Sequence, residues 1–150
     1  MKIRKASAHD ADRVRDIARA AYALYVARIG REPAPMAADF ETHIRRDEVM
    51  LAETTEGIIG YIVAYPRADD YFVENVAVDP ARAGAGVGKN LMSQAESAAV
   101  QHGCRFIRLY TNVAMYENFP FYESLGYRKT HEATEAGFHR VYFEKSLEQR

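Results

Sequence analysis

The segment Ala83-Gly84-Ala85-Gly86-Val87-Gly88-Lys89 places the tightest limit on what this chain can fold into. Before it, Tyr71 to Val78 is rich in β-branched and aromatic residues and predicts a strand. After it, Leu91, Met92, Ala95, Ala98 and Ala99 recur at helical spacing until Gly103 stops the run. Strand, glycine loop and helix in succession put exposed backbone N–H groups at the positive end of a helix dipole, an arrangement that favours an anion such as a phosphate.

The rest of the chain can be read around that unit. Lys2 to Ala6 alternates as a strand, and Ser7 with Asp10 predicts a helix N-cap and an acidic first turn. Ala11, Val14, Ile17, Ala18, Ala21, Tyr22 and Tyr25 then mark one apolar helix face ending near Gly30. Pro33 and Pro35 predict a loop from Arg31 to Ala38, with a short helix from Ala38 to Arg45 behind it. Val49 to Glu53 and Ile58 to Tyr65 read as a hairpin turning at Thr54 to Gly57. Cys104 to Tyr110 predicts a strand, Asn118 to Leu125 a helix whose start is set by Pro120 and whose end is set by Gly126, and Val141 to Lys145 a last strand. The order β, α, α, β, β, β, α, β, α, β predicts an α/β (α+β) chain with a mixed sheet, antiparallel in its first half.

At 150 residues, 48% of them hydrophobic and 27% charged, the chain is expected to form one domain, residues 1–150. Twenty Lys and Arg against 21 Asp and Glu leave a net charge of −1, so no broad field draws nucleic acid or anionic lipid and any anion site is local. The start MKIRKASAHD lacks the apolar core of a signal peptide, and the apolar run Ile58 to Tyr65 is too short to span a membrane, which makes the cytoplasm the expected location. Cys104 is the sole cysteine, expected as buried packing, and His9, His43, His102, His131 and His139 have no compact ligand spacing, so no metal is expected.

Two nucleotide-binding patterns fail on the glycine loop. A P-loop requires Gly where Ala83 stands and a hydroxyl where Asn90 stands, and a dinucleotide fingerprint requires Gly where Lys89 stands. By contrast, Glu74-Asn75-Val76-Ala77-Val78-Asp79-Pro80 leading into Gly84-x-Gly86-x-Gly88 resembles motif A of the GNAT acetyltransferase superfamily. Phe121-Tyr122-Glu123-Ser124-Leu125-Gly126-Tyr127 resembles that family's motif B, and the order of elements matches from the first strand to the last.

The resemblance implies a GNAT-like acyl-CoA N-acyltransferase fold with a splayed central sheet flanked by helices. It also implies acetyl-CoA as cofactor, its pyrophosphate on the amides of Arg82, Ala83, Gly84, Ala85, Gly86, Val87, Gly88 and Lys89 and its pantetheine paired along Val76, Ala77 and Val78. One departure stands out: the family's Arg or Gln three residues before the middle glycine falls on Ala83, and Arg82 is displaced by one. Because loop amides do most of the work in such a cradle, binding is expected to survive, with Arg82 or Lys89 supplying charge.

Acetyl transfer to an amine needs a proton acceptor, since an alkylamine titrates at about 10.4. Glu74, just before the cofactor-pairing segment, is the first candidate base, ahead of Asp70 and His139. Tyr122 matches the motif B tyrosine that protonates the leaving thiolate, and amides near Val76 are expected to hold the oxyanion. Asn118 is expected both to cap the motif B helix and to contact the cofactor. Tyr22, Tyr25, Arg28, Met36, Phe40, Tyr65 and Tyr71 come from elements that border the acceptor cleft in similar proteins, and most are expected as core or lid residues. If several face the cleft, an acceptor with an apolar or aromatic part is implied, with Arg28 or Arg31 placed to meet a carboxylate. The expected activity is N-acetyl transfer by direct attack in a ternary complex, to a small-molecule or peptide amine. The alternative is a non-catalytic CoA-binding module, and a homodimer is left open.

Overall fold

Alternation on β4, Tyr71–Val78, is the organising feature of the fold: Asn75 and Ala77 are buried while Glu74, Val76 and Val78 are half-buried. The computed structural model describes residues 1–147. It adds to β4 the strands β1 (Lys2–Lys5), β2 (Val49–Thr54), β3 (Gly57–Pro66), β5 (Phe106–Asn112), β6 (Arg128–Glu135) and β7 (Phe138–Ser146). The helices are α1 (Ala11–Ile29), α2 (Phe40–Arg45), α3 (Val87–Gln101) and α4 (Phe119–Ser124). The strands follow the hydrogen-bonded order β1-β2-β3-β4-β5-β7-β6, antiparallel for β1/β2, β2/β3, β5/β7 and β6/β7 and parallel for β4/β5, which is the mixed α/β sheet that the sequence predicts.

The chain divides into two compact units, Met1–Ala64 with Glu74–Ala95, and Tyr65–Val73 with Glu96 onward. In the first, α1 buries Val14, Ile17, Ala18, Tyr22 and Tyr25, the stripe read from the sequence, and α2 buries Phe40 and Ile44. Phe40 meets Tyr61 edge to face at 5.4 Å between ring centres, and both are fully buried. Burying a side chain of this size contributes about 1.5 to 3 kcal/mol. Gly60 on β3 lets α3 come close: a Cβ there would lie 3.1 Å from the Ala77 carbonyl oxygen, 3.1 Å from Val87 Cγ1 and 3.3 Å from Leu91 Cδ1. In the second unit Ile107, Leu109, Val141, Phe143, Tyr122 and Tyr127 are buried. The parallel ladder there pairs Tyr71, Phe72 and Val73 with Ile107, Arg108 and Leu109.

Several local expectations change. Strand β6 has no counterpart in the sequence reading, because its residues RKTHEATE carry no apolar alternation; it is an outer strand, exposed almost throughout and held by backbone pairing with β7. Cys104 does not open a strand. Its N–H donates to the Ala99 carbonyl and that of Gly103 to Val100, with Gly103 at φ 76°, so both residues close α3 and Cys104 is half-buried. Asn118 sits at the start of α4 but its side chain makes no capping bond. The 3-10 turn Tyr116–Asn118 already gives it helical dihedrals, whereas a capping side chain works from an extended backbone.

The predicted cap at Ser7 and Asp10 forms with more partners than a cap requires. Asp10 accepts from the Ser7 N–H at 2.9 Å and from Arg4 at 3.0 and 3.3 Å, while Arg4 also donates to Glu53 on β2 at 2.9 Å. Hydrogen bonds from Arg4 outweigh burial and hold the Asp10 carboxyl at about 2, against 3.8 ordinarily. A carboxylate depressed in the folded state stabilises above its unfolded pKa and loses that contribution as pH falls through the folded one. Asp10→Asn is therefore expected to cost ~2 kcal/mol at pH 6 and only ~1 kcal/mol at pH 3, measured as the difference in urea unfolding free energy from the parent.

Candidate active site

The residues singled out from the sequence fall into two groups, one in each compact unit. Glu74, Val76, Ala77, Val78 and the loop Arg82 to Lys89 belong to the first; Asn118 and Tyr122 belong to the second.

In the first unit Glu74 is held by a residue that sequence reasoning passed over. His43 on α2 brings Nε2 to 3.0 Å from Glu74 Oε2 and Nδ1 to 2.7 Å from Glu48 Oε1. The side chains are 28% exposed at Glu74, 18% at Glu48 and 14% at His43, so the pair contacts are largely shielded from water. Glu48 is brought back to His43 by the end of α2. Its N–H donates to the His43 carbonyl at 3.0 Å, the Asp47 N–H to Ile44 at 3.0 Å, and Asp47 takes φ 58°, which together form a Schellman closure with aspartate in the left-handed position. No spacing rule links Glu74 to positions 43 and 48, since only packing of the helix end against β4 brings it to His43.

Next to Glu74, Asn75 is buried and fully engaged. Its Oδ1 accepts from Tyr61 at 2.8 Å and Tyr22 at 3.2 Å, and its Nδ2 donates to the Pro35 carbonyl at 3.3 Å. The Tyr22 hydroxyl also lies 2.9 Å from the Val76 carbonyl, which ties α1 to the backbone of the segment read as cofactor-pairing.

The loop that follows is anchored at its base and open at its top. Asp79 accepts from the Ala81 N–H at 3.0 Å and from Arg13 at 2.9 Å, and Arg13 also donates to the Ile58 carbonyl. Gly84 and Gly86 adopt φ 90° and 77°, values that L side chains rarely take, and a Cβ at either would meet nothing within 4 Å. α3 starts at Val87, so Gly88 and Lys89 lie in its first turn and not in the loop. Exposed glycine backbone at the head of a 15-residue helix fits an anionic group such as a pyrophosphate. Arg82 pairs with Glu56, so its charge is already partly met within the protein.

In the second unit Tyr122 is buried in α4, with its ring 5.7 Å from Phe143, 5.3 Å from Phe121 and 6.3 Å from Tyr127. Tyr127 donates to Glu96 at 2.8 Å; burial and the Glu96 charge push its phenol up. Asn118 is half-buried one turn before Tyr122. The weaker base candidates are occupied elsewhere. Burial alone would raise the Asp70 carboxyl, but hydrogen bonds from Arg67 at 2.7 Å and Arg108 at 3.1 Å outweigh it and hold the group low, as a buried structural anion. His139 is exposed and 2.7 Å from Glu132. Phe40 is core and cannot border a cleft, while Tyr25 is buried with Arg28 stacked 5.3 Å from its ring centre.

Comparison with known proteins bears on the fold and the family. No curated protein sequence matches the chain. Among solved structures, the PaiA N-acetyltransferase of Thermoplasma acidophilum in complex with coenzyme A is 21% identical, with 97% of this chain and 98% of that one covered at a TM-score of 0.82. Ard1 of Thermoplasma volcanium is 18% identical over 99% and 98% at a TM-score of 0.78. An aminoglycoside 6'-N-acetyltransferase complexed with coenzyme A is 16% identical over 100% and 99% at 0.75. At such identities the likeness is one of fold. The family profile described as acetyltransferase (GNAT) domain matches residues 45–129, from the end of α2 through the glycine loop and motif B helix to the start of β6, and the chain belongs to that family.

Proposed function

We propose that residues 1–150 work as one N-acetyltransferase domain that moves an acetyl group from acetyl-CoA to a primary amine by direct attack in a ternary complex. The observation that carries this reading is the succession on β4 and beyond: a carboxylate at Glu74 oriented by His43, then the strand segment Val76 to Val78, then the open Gly84 and Gly86 cradle at the head of α3. Acetyl-CoA, when bound, supplies the thioester carbonyl that the amine attacks. Amides of the loop and of the first turn of α3 bind its pyrophosphate, and Glu74 takes the proton that the attacking nitrogen must lose. Tyr122 holds a phenolic proton for the departing sulfur, and Asn118 contributes polar contact to the cofactor. The acceptor is a small-molecule or peptide amine, and the cytoplasm is the proposed compartment; among the described residues no helix is long and apolar enough to cross a membrane.

Thiol release with n-butylamine, kanamycin and a peptide with a free N-terminus, run beside calorimetric titration of CoA, tests the reading. Turnover with at least one amine is expected, whereas CoA binding without turnover on any would favour a CoA-binding module.

Tyr122→Phe is expected to lower turnover about 10²-fold with CoA affinity little changed, because help from a general acid acts mainly in the transition state. Unchanged turnover, with chemistry limiting, would remove Tyr122 from the mechanism. Glu74→Gln keeps the shape but cannot take a proton, so the acidic limb of kcat/KM against pH is expected to shift or vanish.

If the backbone carries pyrophosphate binding, Arg82→Ala and Lys89→Ala each weaken CoA by about 1 kcal/mol or less, and Ala83→Arg tightens it modestly, more so at low salt. The Glu56 pairing of Arg82 favours that outcome. A loss of about 1.5 to 3 kcal/mol confined to Arg82→Ala would instead assign it a charge-assisted contact.

A further inference from the structure

We propose that Glu48, His43 and Glu74 act as one proton-accepting unit, in which His43 and Glu48 are positioning residues that orient Glu74 and carry away the proton it receives. This rests on the reading of Glu74 as the base and adds residues that lie outside both sequence motifs.

Hydrogen-bond inventory carries the argument. An ionised carboxylate only accepts, and a neutral imidazole has one N–H and one lone pair. His43 nevertheless has carboxylate oxygens at hydrogen-bond distance on both ring nitrogens, 2.7 Å on Nδ1 and 3.0 Å on Nε2. Two such contacts need two protons among the three groups, one more than a neutral ring between two carboxylates supplies. Other charged groups on and beside α2 are engaged elsewhere: Asp39 at its N-terminus with the Thr42 N–H and hydroxyl, Glu41 with Arg15 of α1, Arg45 with Thr42, and Asp47 with Lys5.

The unit becomes receptive when one of the two protons leaves for water. The ring is then neutral, with its proton on Nδ1 toward Glu48 and a lone pair on Nε2 toward Glu74. As the attacking amine's N–H bond breaks, a Glu74 O–H bond forms. That proton then passes to Nε2, breaking the O–H and forming an N–H bond, and the two-proton state returns. The Nδ1 proton leaves through half-buried Glu48 to water, which leaves the ring with its proton on Nε2. The receptive tautomer returns when Glu48 brings a proton from water back to Nδ1 and the Nε2 proton leaves through Glu74 to water after product has gone, so one proton passes from amine to water in each turnover. The acidic limb of the rate profile then belongs to the trio and not to Glu74 alone.

The test uses His43→Gln and Glu48→Gln, each alone and with Glu74→Gln, assayed with acetyl-CoA and whichever of n-butylamine, kanamycin or the peptide is turned over fastest. Each single variant is expected to lower kcat/KM at pH 7 about tenfold, part of the 10²- to 10⁴-fold range of general base help, with the calorimetric affinity for CoA unchanged. The acidic limb is expected to move to lower pH in both, since one loses a negative partner of the ring and the other leaves only carboxylates to titrate. In the Glu74→Gln background His43→Gln should add nothing. Parent-like profiles for His43→Gln and Glu48→Gln beside a slowed Glu74→Gln would overturn the relay and leave Glu74 as the base. So would a further independent loss in the double variant. A parent-like Glu74→Gln, or no turnover with any of the three amines, would sink the base reading and the relay with it. Should His43→Gln fail to bind CoA, Glu48→Gln, isosteric and half-buried, decides alone.

Discussion

A buried amide that must be satisfied on every side sets the geometry of the first unit. Asn75 sits in the middle of β4 with almost no exposure, where an unpaired amide would cost about 1 to 3 kcal/mol. Its partners come from three other places: Tyr61 on β3, Tyr22 on α1 and the Pro35 carbonyl in the connection before α2. Burial pushes the Tyr61 phenol up, so its hydroxyl stays a donor across the pH range in which proteins work. With Asn75 held in this way, the positions of its neighbours in sequence follow. Glu74 is presented to His43, and Val76 leads toward the glycine loop.

The fate of individual charges separates scaffold from site. Asp70 and Glu144 meet the charges of Arg67 and Arg108 within the second unit, and Arg4 draws Asp10 and Glu53 onto one guanidinium in the first. These groups are held at the cost of being unavailable for chemistry. Glu74 differs because its partner is an imidazole, the one side chain that both gives and takes a proton near neutrality. The glycine loop solves a different problem. Its backbone is open at Gly84 and Gly86, where a Cβ would meet nothing within 4 Å, and backbone dipoles at a helix start favour an anion without any particular side chain.

The succession of strand β4, a turn with left-handed backbone and helix α3 was legible in the sequence because each part is encoded by residues close along the chain. The same locality explains the correct placement of α1 and of the turn at Gly57. What went unread was equally consistent. β6 has a polar sequence and exists because β7 offers it a partner edge, and Asn118 lost its capping role to a 3-10 turn just before it.

The sequence by itself determined the α/β class, the family and the succession of elements apart from β6, because apolar periodicity, glycine placement and capping act between residues close along the chain. Only the tertiary structure decided that His43 lies between Glu48 and Glu74, that Tyr22 and Tyr61 donate to Asn75, and that Arg82 is met by Glu56. Those contacts join residues from 5 to 53 positions apart with no shared period, and those of Tyr22 with Asn75 and of His43 with Glu74 arise only when burial of the α1 and α2 faces brings the helices onto β4.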